Sequence, residues 1–311
     1  MTYSDLLVAS SGGHLEELVE LTYQLDPPPR RPLWVTTRTV QSEYLLAGKE
    51  VVWTPAVGSR QGWRALRSLP RAHRLVRRHR PGRVISTGAA LAVPYLLAAR
   101  AAGASVHYIE SATRLHGPSL SGRILELVPG VHLHHQAFLE PRHGWQRTGS
   151  VFDAFRSGPE REPTDTNALL MVGTERFPFR RAVDLLTSVP DQTWVAQTGH
   201  TPVDHDDPRC RQWMRPDLLA DLVTRSGLVV THAGVGSILL ALRAGRHPVV
   251  VPRLHRLGEH ADDHQVQLAD DLERRGLVSV LRPDDDPGPV LAEARRRSTV
   301  RNQPATLDLA R

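Results

Sequence analysis

The strongest constraint on this chain is a pattern that occurs twice: a short apolar run, a glycine-bearing turn, a helical segment, then the next apolar run. In the first half Leu6-Leu7-Val8-Ala9 is followed by Ser10-Ser11-Gly12-Gly13-His14 and a helical pattern over 15–25. Leu33-Trp34-Val35-Thr36 and Val51-Val52-Trp53 are further strand-like runs. Residues 63–80 have helical spacing, with Leu66, Leu69, Leu75 and Val76 apolar. Then come Val84-Ile85-Ser86, a turn at Gly88, a helix over 93–102, and Val106-His107-Tyr108-Ile109 ending at Glu110. The second half repeats the order. Ala168-Leu169-Leu170-Met171-Val172 ends at Gly173-Thr174, a helix spans 179–188, and Thr193-Trp194-Val195-Ala196 and Leu228-Val229-Val230 are strands. Gly234-Val235-Gly236-Ser237 opens a helix through Ala244, and Pro248-Val249-Val250-Val251 is the next strand. Strands joined by crossover helices make parallel sheets covered on both faces. The expected class is α/β, with two Rossmann-like doubly wound domains at 1–155 and 167–298. The polar, proline-bearing stretch 156–166 is the expected linker, and 299–311 an expected poorly ordered tail.

Composition narrows the setting. Cys210 is the single cysteine, so no disulfide framework exists and a reducing cytoplasm is expected. No apolar run reaches the roughly 20 residues of a membrane-spanning helix. Thr2-Tyr3-Ser4-Asp5 reads as the approach to a strand, not a signal peptide. The net charge of +6 is unevenly placed: residues 51–109 hold ten arginines and no Asp or Glu. Such asymmetry suits an anionic partner, or else a solvated arginine-rich surface. The basic stretch 64–83 reads as an interfacial helix on anionic lipid, or as an outer crossover helix with its stripe on the core. No nucleic-acid module accompanies it. The histidines of Val131-His132-Leu133-His134-His135 are assigned no role.

Three turns are candidate sites. Ser11, Gly12 and Gly13 open a helix whose free N–H groups suit an anion or polar substrate. His14, at the same helix start, is placed to take a proton near neutral pH, or merely to make a structural hydrogen bond. The turn is not GxGxxG and no acidic residue ends the second strand, which disfavours a dehydrogenase. The second turn is Thr231-His232-Ala233-Gly234-Val235-Gly236-Ser237. Its glycines, hydroxyl and helix start suit a diphosphate and stabilise a departing nucleotide without a metal. The third is Gly258-Glu259-His260-Ala261-Asp262-Asp263-His264-Gln265, a polar βα loop suited to sugar or ribose hydroxyls. His260 and His264 are four apart, but a HExxH zinc motif needs Glu where Ala261 stands, so no metal is expected.

Together these segments resemble a known group of glycosyltransferases. The first half is similar to the Alg14/PssD acceptor-side subunit, through Ser10–His14, Ile85-Ser86-Thr87-Gly88, Val106–Ser111 with Arg114, and Gly149-Ser150-Val151-Phe152-Asp153. The second half is similar to the Alg13/PssE donor-side subunit. There the matches are Val172-Gly173-Thr174, Gln197-Thr198-Gly199, the Thr231–Ser237 turn, Val250-Val251-Pro252-Arg253 and the 258–265 loop. The order is that of the MurG enzymes, with a family 28-type C-terminal domain. The resemblance implies a GT-B fold with its active site in a cleft between the halves. It implies inverting, metal-independent transfer of a hexose or N-acetylhexosamine from a nucleotide-diphosphate sugar, UDP foremost, to a lipid-linked or other glycan acceptor. The nucleotide-sugar is substrate, and no resident cofactor is implied. His14 and Glu110 are the implied catalytic residues. Ser11, Gly12, Gly13, Gly88 and Arg114 would face the acceptor. Gly173, Thr174, Gly199, His232, Ala233, Gly234, Gly236, Ser237, Glu259, His260, Asp263, His264 and Gln265 would face the donor. Location on the inner face of the cell membrane is the matching expectation. One departure stands out: Leu240 occupies the position where many relatives carry a ribose-binding Glu. That departure motivates an alternative reading as a non-catalytic donor-binding subunit or regulator. A nucleotide-sugar epimerase is the other alternative.

Overall fold

The computed structural model describes residues 3–55, 67–163, 166–189, 192–204, 207–303 and 306–309. The chain separates into two units, Met1–Val151 with Pro304–Arg311, and Phe152–Gln303. The division therefore falls a few residues before the expected boundary, and the last residues count with the first unit.

The first unit is built on a parallel sheet of seven strands. They are β1 (Asp5–Ala9), β3 (Leu33–Thr37), β4 (Val51–Thr54), β5 (Arg83–Gly88), β6 (Ser105–Glu110), β7 (Val131–His135) and β8 (Trp145–Arg147). Their order is β4-β3-β1-β5-β6-β7-β8, so the chain reverses its direction of travel between β1 and β5. Helices α1 (Gly13–Thr22), α2 (Val40–Leu45), α3 (Leu69–His79), α4 (Ala92–Ala101) and α5 (Leu120–Glu126) connect them. One face buries Leu6, Val8, Val84, Val106 and Tyr108 against Ala72, Val76, Tyr95 and Leu96. Helix α1 packs on β1 and β5. It ends near Tyr23 rather than reaching 25, because Leu25–Asp26 (β2) precedes Pro27-Pro28-Pro29 and a residue before proline disfavours helix. The apolar stripe of α3 is spent on the core: Ala72 and Val76 are buried and Leu75 partly so, while Arg71, Arg74, Arg77 and Arg78 are exposed. Residues 64–66 of the expected basic stretch, and the expected helix start at 63, lie outside the described residues.

The second unit holds a parallel sheet of six strands: β10 (Asn167–Met171), β11 (Thr193–Gln197), β12 (Cys210–Arg211), β13 (Leu228–His232), β14 (Val249–Val251) and β15 (Ser279–Val280). The order β12-β11-β10-β13-β14-β15 reverses between β10 and β13. The expected helix over 179–188 is two short ones, α6 (Arg180–Val183) and α7 (Leu185–Ser188), which share Asp184 as the end of one and the start of the other. Helices α8 (Pro216–Arg225), α9 (Val235–Arg243), α10 (His264–Arg274) and α11 (Pro287–Arg296) follow. Leu170, Val172, Val230 and Val251 pack with Phe179, Leu186 and Leu291 on one face, and Leu169, Met171 and Val229 with Val223 and Ala241 on the other. Both sheets are thus doubly wound, as the alternation of elements implied.

Two expected irregular stretches carry order. Phe155–Ser157 (β9) lies in the expected linker region and pairs antiparallel with Thr299–Arg301 (β16). Leu307–Asp308 (β17) adds parallel to β2 in the first unit. Backbone hydrogen bonding and the buried Leu307 and Leu309 hold this polar tail, which has no periodicity to announce it.

Candidate active site

In doubly wound sheets, ligands bind beyond the carboxyl ends of the strands where the strand order reverses. Each unit has one such edge, and the sequence candidates concentrate there.

In the first unit the edge lies beyond β1 and β5. Gly12 is the N-cap of α1 at φ +95°, a left-handed conformation that glycine takes without strain, and no side chain caps the helix. The space beside Gly12 and Gly13 is open, so the orphan N–H groups of the first turn are accessible. Ser11 is half-buried beside them. His14 is locked to β5 by a reciprocal pair of bonds: its Nδ1 lies 2.9 Å from the Thr87 carbonyl oxygen, and Thr87 Oγ1 donates to the His14 carbonyl at 2.6 Å. A carbonyl only accepts, so Nδ1 carries hydrogen and Nε2 keeps its lone pair. The side chain is 34% exposed. These are the requirements of a general base. Gly88 ends β5 beside the Tyr108 hydroxyl.

Glu110 stands at the end of β6 but is buried. Its carboxylate accepts from Ser119 N at 2.8 Å, Tyr108 OH at 3.2 Å and Ser111 N at 3.3 Å. Burial raises its pKa against the pull of those bonds. The geometry makes it a clamp that fixes the loop after β6. Arg114, half-buried on that loop, acts electrostatically on Tyr108 beside it.

A residue that sequence reading passed over joins this edge. Glu17, one turn after His14, is fully buried, and its Oε1 accepts from Ala112 N at 2.7 Å and Gln136 Nε2 at 3.0 Å. Its Oε2 lies 3.9 Å from His14 Nδ1. Burial is the main cause that pushes its pKa up to about 7, and the nearby Glu110 adds to it. Its helix buries three acids, Glu16, Glu17 and Glu20, so spacing along the sequence does not single out Glu17.

In the second unit the edge lies beyond β10 and β13. His232, at the end of β13, fills it with a buried imidazole. A Cβ at Gly173 would sit 2.4 Å from His232 Cε1, and one at Gly234 would sit 2.2 Å from Nε2. Both glycines are therefore dictated first by this ring. Burial and the charge of Arg253 lower the His232 pKa to about 3, so the ring is neutral. Gly234 is the N-cap of α9 without a side-chain cap, and Gly236 and Ser237 lie half-buried in its first turn. Their N–H groups lie at the helix end whose dipole favours negative charge. Ala233 is buried beneath. Gln197 clamps the neighbouring turn, donating to the Gly173 carbonyl at 3.0 Å and accepting from Gly173 N at 3.2 Å, and Gly199 packs against that carbonyl. Thr174 is exposed beyond it.

The 258–265 loop is more structural than its sequence suggests. Arg253, buried after β14, donates to the carbonyls of Phe177 at 2.7 Å, Val172 at 2.8 Å and Glu259 at 3.0 Å, and stacks 4.4 Å over Phe179. Burial lowers its pKa to about 10, which leaves it charged at neutral pH. Glu259 is buried and taken up by Arg181 at 2.8 Å and Leu254 N at 2.9 Å. Gln265 is buried with Oε1 on Arg253 N at 3.2 Å, and Asp263 accepts from His255 N at 2.9 Å. His260 and His264 converge on Asp262, and the ligand atoms of the three lie within 4.8 Å of one another, the one group among the described residues with such spacing. HExxH reasoning missed this arrangement, because the third donor sits between the two histidines.

Residues 214–280, which span α8 to β15 and include the Thr231–Ser237 turn, match the model of the glycosyltransferase family 28 C-terminal domain. This stretch resembles a family 28 C-terminal domain. Over 72 residues the chain is 42% identical to the UDP-N-acetylglucosamine transferase subunit ALG13 of Yarrowia lipolytica, a match that spans 23% of this chain and about a third, 35%, of that protein. The whole fold is similar to MurG of Acinetobacter baumannii, with a TM-score of 0.58 at 18% identity over 93% of this chain and 89% of that one. It is also similar to the spinosyn forosaminyltransferase SpnP, with a TM-score of 0.62 at 14% identity over 95% and 93%. The fold is GT-B, and the resemblance to family 28-type GT-B glycosyltransferases holds. Within the matched stretch, Leu240 packs with Leu219 and Leu222 of α8 around the Val223–Ala241 cluster. Leu240 is half-buried there, its apolar side chain against a cluster that also holds Leu169, Met171 and Val229 of the sheet.

Proposed function

We propose that the chain is an inverting, metal-independent glycosyltransferase. It moves a hexose or N-acetylhexosamine from a nucleotide-diphosphate sugar, UDP first, to a lipid-linked or other glycan acceptor. One observation carries the reading: the uncapped start of α9, inside the stretch that matches the family 28 domain, sits where the strand order of its sheet reverses. That is where a pyrophosphate gains most from helix N–H groups and dipole. The neutral His232 adds no charge of its own there, so the helix end carries the electrostatic work. As the anomeric C–O bond to the diphosphate breaks, its electrons pass to the phosphate oxygen and are stabilised without a metal. On the first unit, His14 Nε2 accepts the proton of the attacking hydroxyl.

Location follows from the same reading. No helix among the described residues is long and apolar enough to cross a membrane. The exposed arginines of α3 face outward, and α5, which also packs on α4, presents Leu120 and Ile124, with Leu127 just beyond it 82% exposed. An anionic bilayer surface that carries the acceptor suits this combination.

The test is nucleotide release. UDP release from a UDP-sugar must depend on the acceptor and survive EDTA. Loss of turnover in EDTA would sink the metal-free mechanism and direct attention to His260, Asp262 and His264. Isomerisation of donor alone, read by NMR, would indicate the epimerase instead. Donor binding without transfer, with function indifferent to His14→Ala, would indicate the regulator.

A further inference from the structure

Glu110 and Glu259 are buried carboxylates with their oxygens occupied. Glu17 differs from these two. Its Oε1 takes two donors and the Ser111 hydroxyl also acts on the carboxylate, yet Oε2 lacks a hydrogen bond of ordinary geometry although it is buried. The group that Oε2 meets is the His14 ring at 3.9 Å, one helical turn away at i and i+3. A buried oxygen left this way costs stability unless it acts when charge appears beside it. His14 is where charge would appear, because Nδ1–H is already committed to the Thr87 carbonyl and a second proton can enter only at Nε2.

We propose that Glu17 is a positioning residue that forms a proton-holding pair with His14, its carboxylate steadying the imidazolium created when Nε2 takes the acceptor proton. The inference rests on the reading of His14 as base. In the competent state Glu17 is a carboxylate and His14 a neutral imidazole. The acceptor O–H bond breaks, an Nε2–H bond forms, the oxygen attacks the anomeric carbon, and the diphosphate leaves with the electrons of the C–O bond. The pair passes from net negative to net neutral, so the buried site loses charge as the reaction proceeds. A proton already on Glu17 removes that advantage. The groups acting on Glu17 come from every neighbouring element: His14 on its own helix, Glu110 at the end of β6, Ser111 and Ala112 in the following loop, and Gln136 after β7. Burial chiefly, with the like charge of Glu110 as a lesser cause, raises Glu17 to about 7 and keeps it responsive near neutral pH.

The experiment is an NMR titration of the full chain with ring-labelled histidine, without substrate, for wild type, Glu17→Gln and Glu17→Asp, with His14→Gln to assign the signal. An opposite charge at 4–6 Å shifts a pKa by about one to three units. The His14 midpoint should therefore fall by about one unit or more in Glu17→Gln, and Glu17→Asp should recover part of it. A midpoint within roughly 0.3 unit of wild type in Glu17→Gln overturns the pair. If Glu17→Gln does not fold, wild type decides alone: the His14 ring and the Glu17 carboxyl carbon must share two inflections, as interacting sites do. Independent single titrations overturn the proposal. Turnover adds a separate arm. With UDP-N-acetylglucosamine as donor, the acid limb of the kcat profile should move to lower pH in Glu17→Gln, and a merely structural role leaves the limb in place. UDP release unchanged by His14→Ala would sink the base reading whatever the titration shows.

Discussion

The two sheet edges use the same topology for opposite electrostatic ends. In the first unit, the helix start at Gly12 is backed by groups that can change charge: His14 with Glu17 behind it, and Glu110 behind Glu17. In the second unit, two groups near the helix start at Gly234 keep one charge state near neutral pH. His232 is held neutral, and Arg253 stays cationic although buried. A proton-transfer site needs a base poised near the working pH. A site for a leaving diphosphate needs fixed dipoles that do not reorganise. Under the proposed function, two similar-looking turns would become different chemical tools through what lies one layer beneath them.

The comparison can be broken most forcefully at Arg253. Arg253→Met removes donors from three loop carbonyls and leaves them buried, so the second unit should lose about 3 kcal/mol or more, at about 1–3 kcal/mol per unsatisfied group. Urea unfolding measures this, and an unchanged midpoint would show that the loops hold themselves. Next is His14→Ala, which should lower kcat about 10²-fold with little change in donor KM. A rise in donor KM at constant kcat would move His14 from chemistry to binding. Third, Gly234→Ala should cost about 1–3 kcal/mol by overpacking against His232. The double variant Gly234→Ala with His232→Ala should recover part of that loss, and additivity of the two would remove the ring as the reason for glycine.

Acid distinguishes the units more gently. His107 and His134 in the first unit have pKa values lowered to about 3 and 4, chiefly by burial, and so do His232 and His247 in the second, at about 3 and 4. Each is neutral when folded and takes a proton below about 6.5 when unfolded. Stability is therefore lost as pH falls below 6.5, by about 1.4 kcal/mol per unit for each group. Glu17 runs the other way. Its raised pKa means the folded state binds a proton between 4.5 and about 7 that the unfolded state does not, so its contribution grows as pH falls through that window. Glu110 is raised in the same direction. The first unit sets two raised carboxyls against His107 and His134 and the less strongly lowered His79 and His135, and among the described residues the second unit has no raised carboxyl to offset its pair. From pH 6.5 to 5.5, peptide-resolved hydrogen exchange corrected for its intrinsic pH dependence should show the second unit loosening first. Equal loosening would mean that the buried charges of the two units are balanced alike. The smallest effect belongs to Leu240→Glu, which should weaken the α8–α9 contact by roughly 1–3 kcal/mol without creating a ribose contact. Tighter UDP binding in that variant would show that the side chain reaches the ligand after all.

The fold was largely legible because its signals are local. Nine strands and the helices around the two glycine turns follow from apolar runs and spacing, and their alternation implies parallel, doubly wound sheets. The order and type of the turns also carried the family resemblance. Short elements were not legible: β9, β16 and β17 are two or three residues long and exist only because a partner strand is there to pair with them. The basic stretch was ambiguous in sequence, since an apolar stripe beside arginines serves either a bilayer or a core. Packing chose the core for Ala72 and Val76.

For the site, sequence alone determined which turns bear glycine, histidine and helix starts, since backbone permissiveness and helix ends are properties of neighbours along the chain. Tertiary structure decided what each residue does. It set His232 between Gly173 and Gly234, tied Glu259 to Arg181 and Gln265 to Arg253, turned Leu240 toward α8, and put a buried acid behind His14. The reason is desolvation: a side chain's charge state and availability depend on which groups bury it, and those groups come from strands and helices distant in the chain.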